Sequence, residues 1–228
     1  MIFKDEYDSS SLTRWFFITV IFIVIIVCGL LMFADEWVAD SWLELYKING
    51  DYSRRVILMV CLIIYFFRLL ITVFVFLKRK MGWVETILVS GLMFFALYSF
   101  AKVGGSSQLP LNAFDVIGIF LFLAGSYLNT ASEYKRYAWK KIIENKGHLY
   151  NEGLFKHSMH INYLGDIILF TGFALITQSF SLLAIPLIMA LNFIFFIIPR
   201  LDKYLAKKYG EEFKEYAGKT KKLIPMVY

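Results

Sequence analysis

Charge is scarce in this chain. Only 18% of its 228 residues are Asp, Glu, Lys or Arg, whereas 59% are hydrophobic and the mean hydropathy is +0.61. That balance excludes an ordinary soluble domain. Cysteine is scarcer still: Cys28 and Cys61 both fall inside apolar runs, which argues against a disulfide framework or a metal site and leaves the redox compartment open. His157 and His160 are three apart but have no third ligand at a suitable spacing, so hydrogen bonding to a cofactor or a lipid headgroup is a better reading than metal. The chain also lacks a G-x-G-x-x-G after a strand and a P-loop. Any nucleotide must therefore be held by helices within a bundle. Repeats, linkers and low-complexity tracts are absent, which leaves one domain over 1–228, divided in character between 1–111 and 112–228.

The chain does contain long apolar runs, at roughly 15–33, 56–77, 83–101, 113–129, 162–177 and 181–199, each near the roughly 20 residues that cross a hydrocarbon core. They predict an all-α, polytopic membrane helix bundle of about six spans, with a seventh, re-entrant piece allowed. The fifth run is short and opens on polar residues, so it is expected to tilt or to be partly interfacial. The first run is too long for a removable signal and lacks a small-x-small cleavage site after it, so it is expected to stay. Arg200 to Tyr216 reads as a C-terminal interfacial helix interrupted at Gly210, with Tyr204, Leu205 and Phe213 able to touch the membrane.

Basic residues orient the chain. With the N-terminus inside, 19 of the 24 Lys and Arg fall in the inner segments, 4 fall outside (Lys47, Arg54, Arg55, Lys102) and Arg68 lies within a span. Both termini are expected in the cytoplasm. The formal net charge of +6 then reflects topology, and no nucleic-acid partner is called for.

A few polar residues break the apolar pattern. Asn162 and Asp166 are four apart at the mouth of the fifth run and share one helix face, so an amide and a carboxylate point together into the membrane. They are expected to face a protein-lined, water-accessible cavity, although a helix N-cap and a structural hydrogen bond would use the same residues. Asn129, Glu133, Arg136 and Lys140 form a stripe at i, i+4, i+7 and i+11 on a helix leaving the membrane on the same side. Taken alone the stripe reads equally as a solvated helix end with internal ion pairs. Acceptors, amides and cations around one cavity suit a large anionic, hydroxyl-rich ligand such as a dinucleotide or S-adenosylmethionine. Tyr65 and Arg68 are three apart on the second span, with Thr72 one turn further. An arginine there needs either a function or a partner such as Glu85 or Asp115, and a tyrosine beside it can donate to a carbonyl. Glu36 reads first as a loop carboxylate. The basic run at 219–222 reads as a membrane-surface anchor.

From about Tyr65 to Tyr228 the chain resembles the membrane reductases of the steroid 5α-reductase family. The stretches that carry the likeness are LFLAGSYLNTASEYKRYAWK, EGLFKHSMHINYLGDIILFTGFALIT and YLAKKYGEEFKEYAGKTKKLIPMVY. The family's ordered motifs appear as Asn129, Ser132-Glu133-Tyr134, Gly153-Leu154-Phe155, Asn162-Tyr163-Leu164-Gly165-Asp166 and a basic segment closing on Ile224-Pro225. The resemblance implies that Asn129, Glu133, Lys140, Asn162, Asp166 and Tyr204 contact NADPH on the cytoplasmic side, with Tyr150, Arg200 and Asp202 carried over where the spacing differs. It makes 112–228 the cofactor-binding half. Tyr65, with Glu36, would polarise a carbonyl while hydride passes to the β-carbon of an activated double bond. Asp35-Glu36-Trp37 lacks the Gln-Glu-x-Pro setting of the steroid enzymes, so the expected substrate is any lipid-soluble sterol, isoprenoid or fatty-chain enone.

Two other readings share the architecture. Isoprenylcysteine and phospholipid methyltransferases use S-adenosylmethionine, but their Arg-His-Pro-x-Tyr-x-Gly and paired glutamates are not matched by Met159-His160-Ile161-Asn162-Tyr163-Leu164-Gly165 and Arg200-Leu201-Asp202-Lys203. A catalytically silent scaffold or lipid-binding protein would keep the fold alone. Membrane lipids are expected contacts in every case. The sequence does not fix an oligomeric state, and a monomer is compatible with the site.

Overall fold

The computed structural model describes residues 11–33 and 48–228. Asp35, Glu36, Asp40 and Glu44 therefore lie outside the described residues. Helix α1 spans Ser11–Phe33, α2 Tyr52–Ile71, α3 Trp83–Ser99, α4 Ala113–Lys140, α5 Ile161–Ile176, α6 Ala184–Asn192, α7 Ile198–Tyr209 and α8 Glu211–Lys219. Wide π-helical turns extend α2 through Phe76 and α3 through Gly104, and a third joins α6 to α7 at Phe193–Ile197. Pro199 explains the third: it has no N–H, and its ring would clash with the carbonyl four residues back in a regular helix.

Among the described residues five helical segments are long and apolar enough to cross a membrane: Ser11–Phe33, Tyr52–Phe76, Trp83–Gly104, Ala113–Lys140 and Phe180–Tyr209. The sixth, Ile161–Ile176, has 16 residues. At 1.5 Å per residue it falls short of a core about 30 Å thick, as its polar start foreshadowed. Polarity is inverted relative to a soluble fold. Val84, Leu88, Phe95, Val116, Phe120 and Phe195 are exposed, whereas Arg54, Asp115, Asn129, Glu133 and His160 are buried. This is an all-helical, polytopic integral membrane protein.

The second span begins four residues earlier than its apolar run at 56: α2 starts at Tyr52, capped by the Asp51 side chain on the Arg54 N–H, and takes Arg54 fully inside. Its charge is tolerated there because the Asp115 carboxylate and loop carbonyls surround it. The helix expected from Arg200 runs on directly from the last span as α7, and its interruption falls at Gly210 as expected, with a φ of 54° that suits only glycine comfortably.

The tightest packing joins α4 to α5. Gly118 and Gly125 on α4 meet Gly172 and Gly165 on α5 in antiparallel register, each pair seven residues apart. Backbone faces backbone at both crossings, as small residues allow between membrane helices. Beside this seam Phe122, Phe173 and Phe100 fill the core, with ring centroids 5.0 Å apart for Phe122–Phe173 and 5.2 Å for Phe100–Phe173.

A Cβ added at Gly172 would lie 2.5 Å from both Gly118 O and Phe122 N, whereas one at Gly91 would meet nothing within 4 Å. Gly172→Ala should therefore destabilise the protein by about 1–3 kcal/mol. Gly91→Ala should be neutral or slightly stabilising. Thermal unfolding in detergent, followed by the fraction remaining monodisperse, checks both.

Candidate active site within the bundle

The glycine seam sets the depth at which α4 and α5 exchange polar groups. Gly165 sits against Asn129, where an added Cβ would come 2.7 Å from the Asn129 nitrogen. This closeness lets Asn129 Nδ2 donate to the Asn162 carbonyl at 3.0 Å, while Asn162 Nδ2 donates to Glu133 Oε1 at 2.8 Å. The other Glu133 oxygen pairs with Arg136. Asn129, Glu133 and Asn162 thus form one interlocked rung across the two helices. Asn129, only 5% exposed, keeps its Oδ1 without a hydrogen-bond partner among the described residues.

One turn deeper along α5, Asp166 meets α2. Arg68 Nη2 donates to Asp166 Oδ1 at 2.7 Å. The partners expected for Arg68 are engaged elsewhere: Glu85 holds Arg79 and Asp115 holds Arg54. Arg68 is 8% exposed, and its Nε and Nη1 have no partner among the described residues. Its guanidinium carbon lies 5.3 Å from the centre of the Tyr65 ring. Tyr65 packs edge-on against Phe170 at 5.6 Å, and its hydroxyl points at Met93 Sδ, 3.3 Å away. A thioether is a weak acceptor, so this hydroxyl is poorly committed.

Nearer the end of the bundle, Lys140 donates to the His148 carbonyl and, at 3.2 Å, to the Tyr209 hydroxyl. Tyr150 does not reach the rung; it is buried between Trp139 and Phe155, at centroid distances of 5.4 and 5.7 Å. Asp202 is occupied by His160 Nε2 at 2.8 Å and Lys222 Nζ at 3.3 Å. Tyr204 accepts from Lys208 at 3.2 Å, and Arg200 is exposed. Glu36 lies outside the described residues. His160, read earlier as a cofactor or headgroup contact, is instead a buried partner of Asp202 that stacks on Tyr163, itself stacked on Phe193. The 219–222 run, expected as a surface anchor, is tied to the bundle by its main chain: Met159 N–H donates to Lys221 O and His160 N–H to Lys222 O, both at 2.9 Å.

A groove of about 840 Å³ opens beside this layer, lined by Trp139, His148, Gly153, Lys156, Glu212 and Tyr216. Glu212 bridges it, accepting from Leu149 N–H at 2.9 Å and meeting His148 Nδ1 at 2.6 Å. The Leu149 N–H, followed by His148, holds the Glu212 carboxyl below its ordinary range.

Fold and site together define an integral membrane helix bundle with a polar site buried at one end. The chain belongs to the family described as protein of unknown function DUF1295, which matches residues 80–220. It is also similar to 3-oxo-5-alpha-steroid 4-dehydrogenase 2 of Rattus norvegicus, 33% identical over 114 residues, which are 49% of this chain and 42% of the relative. The same protein of Homo sapiens is 31% identical over 115 residues, again 49% and 42%. The chain thus matches less than half the length of these relatives. The steroid 5α-reductase resemblance read from the motifs is borne out at the level of family. Asn129, Glu133, Asn162 and Asp166 lie inside the family match, and Tyr65 and Arg68 lie ahead of it.

Removing the Asp166 charge leaves Arg68 unpaired. Asp166→Asn should cost up to about 3–5 kcal/mol, the range for breaking a buried pair, reduced because 22% of the Asp166 side chain is exposed. Unfolding in detergent reads this, and Asp166→Glu should recover most of it. The Glu212 bridge carries a pH signature. Its folded pKa is depressed, so its contribution is present above the ordinary carboxylate pKa of about 4.3 and is lost as pH falls through the folded value. Hydrogen exchange across 146–153, taken relative to its intrinsic rate at each pH, should rise as the pH falls through that folded value in the wild-type chain. In Glu212→Gln it should already be raised at neutral pH.

Proposed function

We propose that this protein is a membrane-embedded, NADPH-dependent reductase that transfers hydride to the activated double bond of a lipid-soluble enone. The observation that carries the reading is the unfinished polarity at the rung and one turn below it: Asn129 Oδ1 and, a turn deeper, Arg68 Nε and Nη1 are buried and have no partner among the described residues. Apolar surroundings make such atoms costly unless a ligand completes them. One acceptor and two donor nitrogens on neighbouring turns complement a carboxamide, which itself carries one acceptor and two donors. Toward the bundle end, Arg136 and Lys140 supply cations for phosphates. These residues would hold the dinucleotide. When bound, NADPH supplies the hydride.

The chain's own groups then act on the substrate. Tyr65 would turn its hydroxyl from Met93 to the carbonyl oxygen and hold it as negative charge develops, with Arg68 against the ring favouring that charge. The low dielectric of the bundle strengthens both interactions. Asp166 keeps Arg68 in place, and Asn162 and Glu133 fix Asn129. The basic residues at the site end, with the Lys and Arg bias of the sequence, support a cytoplasmic site and cytoplasmic termini. The apolar helix surfaces support a substrate that arrives from the lipid.

Purified chain in mild detergent should bind NADPH saturably and should not bind S-adenosylmethionine, with tryptophan fluorescence as the readout. Tyr65→Phe should keep the cofactor and lose roughly 10²–10³ in kcat, the cost of one oxyanion donor. Full activity in that variant would refute the role of Tyr65. Binding of S-adenosylmethionine alone would make the protein a methyltransferase, and binding of neither would leave a scaffold.

A further inference from the structure

Cations at the basic end of the bundle follow a pattern. Arg79 is paired with Glu85, Arg136 with Glu133, and Lys140 donates to the His148 carbonyl and the Tyr209 hydroxyl. Lys78 and Lys141 break it. Both are exposed, neither meets a carboxylate among the described residues, and both turn onto one ring instead. Lys78 Nζ lies 5.0 Å from the centre of the Tyr137 ring, and Lys141 Nζ lies 4.4 Å from it. Phe76 packs on the same ring at 5.9 Å, which brings the end of the second span, and Lys78 just after it, up to the last turn of α4.

Two ammonium groups on one ring form an incomplete arrangement. Each is weakly attracted by the π face, but the two repel each other, and Lys141 and Lys78 are the charged groups that act on the Tyr137 hydroxyl. An anion beside them would replace that repulsion by two attractions. The phenol adds a donor, since its oxygen can accept from Lys141 while its own O–H stays available. Both lysines are exposed and Tyr137 is half-buried, so the three groups stand at the outer surface of the bundle, in open reach of a ligand.

The surface that leads to these groups is apolar. Phe120, Leu123, Tyr127 and Tyr134 on α4 are exposed and follow one another at helical spacings of three, four and seven, which puts them on one face, and a further seven reaches Lys141. In an integral membrane protein, lipid covers that face. From Tyr127 to Lys141 the helix rises about 21 Å. That is half of a bilayer about 40–45 Å thick with its headgroups, so an acyl chain of one leaflet lies along Tyr134 and Tyr127 when its phosphate is level with Lys141.

We propose that Lys78, Tyr137 and Lys141 bind the phosphodiester of an anionic phospholipid whose acyl chain lies along the exposed face of α4. A zwitterionic headgroup would bring its own ammonium against the two lysines, whereas an uncharged one such as glycerol leaves the phosphate to them. A free phosphate would leave the apolar face unused. Bound there, the lipid joins the end of the second span to the end of α4 from outside the bundle.

The test titrates the full chain in a mild non-ionic detergent with phosphatidylglycerol or phosphatidylcholine and counts bound lipid by native mass spectrometry. Phosphatidylglycerol is expected to bind with a Kd about fivefold or more below that of phosphatidylcholine. Lys78→Gln and Lys141→Gln should each raise the Kd of phosphatidylglycerol about fivefold, the effect of one lysine beside an anionic headgroup, and together about twentyfold. Lys78→Arg with Lys141→Arg should keep the wild-type value. Lys146→Gln removes an exposed charge away from the ring and should leave the Kd unchanged. Because both lysines are exposed, thermal unfolding of every variant should match the wild-type chain, which separates lost binding from lost fold. Equal affinity for the two lipids would show an apolar contact blind to the headgroup, and an equal effect of Lys146→Gln would show a diffuse attraction to a basic face. Displacement of the lipid by inorganic phosphate at millimolar concentration would show a site for the free ion. Each of these three results overturns the proposal.

Discussion

Everything at this site depends on how closely α4 approaches α5. Four glycines, two on each helix, allow main chains to touch where any side chain would collide. Dispersion and weak contacts hold such a seam, since lipid offers no hydrophobic force between helices. The seam also fixes register. Asn129 reaches the Asn162 carbonyl, and Asn162 reaches Glu133, only because Gly165 presents no Cβ against Asn129. One steric fact therefore sets both the stability of the bundle and the position of its polar rung.

Two buried arginines show how the same membrane environment yields structure in one place and a site in another. Arg54 has five N–H groups and uses them all: two on Asp115 and three on the carbonyls of Ser107, Leu109 and Pro110. Gln178 and the Asn112 N–H complete the same carboxylate. That network is closed and acts as a clamp on the loops at its end of the bundle. Arg68 makes one hydrogen bond, to Asp166, and leaves Nε and Nη1 unused. A membrane interior tolerates an open network far less well than water does, so the proposed function draws on Arg68 and not on Arg54.

Much of this was legible in the sequence. The apolar runs placed the helices to within a few residues, the short fifth run was visible as such, and Asn162 with Asp166 stood out as polar residues that then proved to bridge helices. Partners were not legible. The sequence offered Glu85 or Asp115 to Arg68, because nothing in a linear pattern shows which carboxylate crosses to which helix. Asp166 was already assigned elsewhere, as a ligand. The second apolar run was read from residue 56, short of Arg54, because hydropathy penalises arginine without seeing the five acceptors that fold around it. The glycines that set the seam were each visible, yet their pairing is a property of two helices and not of either one.

The segment 220–228 belongs to this same logic of positioning. It pairs its main chain with Met159 and His160, buries Leu223, and sends Lys222 to Asp202, which also holds His160. Ser158 adds a bond to the Leu223 carbonyl at 2.7 Å. These contacts converge on the two residues before α5, and Asn162 is the second residue of that helix. An α5 of 16 residues is too short to be fixed by the bilayer at both ends. Its N-terminal end is instead held by protein, by the glycine seam on one side and by the 220–228 segment on the other. Asp202 therefore acts on the site through α5. Its carboxylate meets His160 and Lys222, and those bonds set where Asn162 and Asp166 stand.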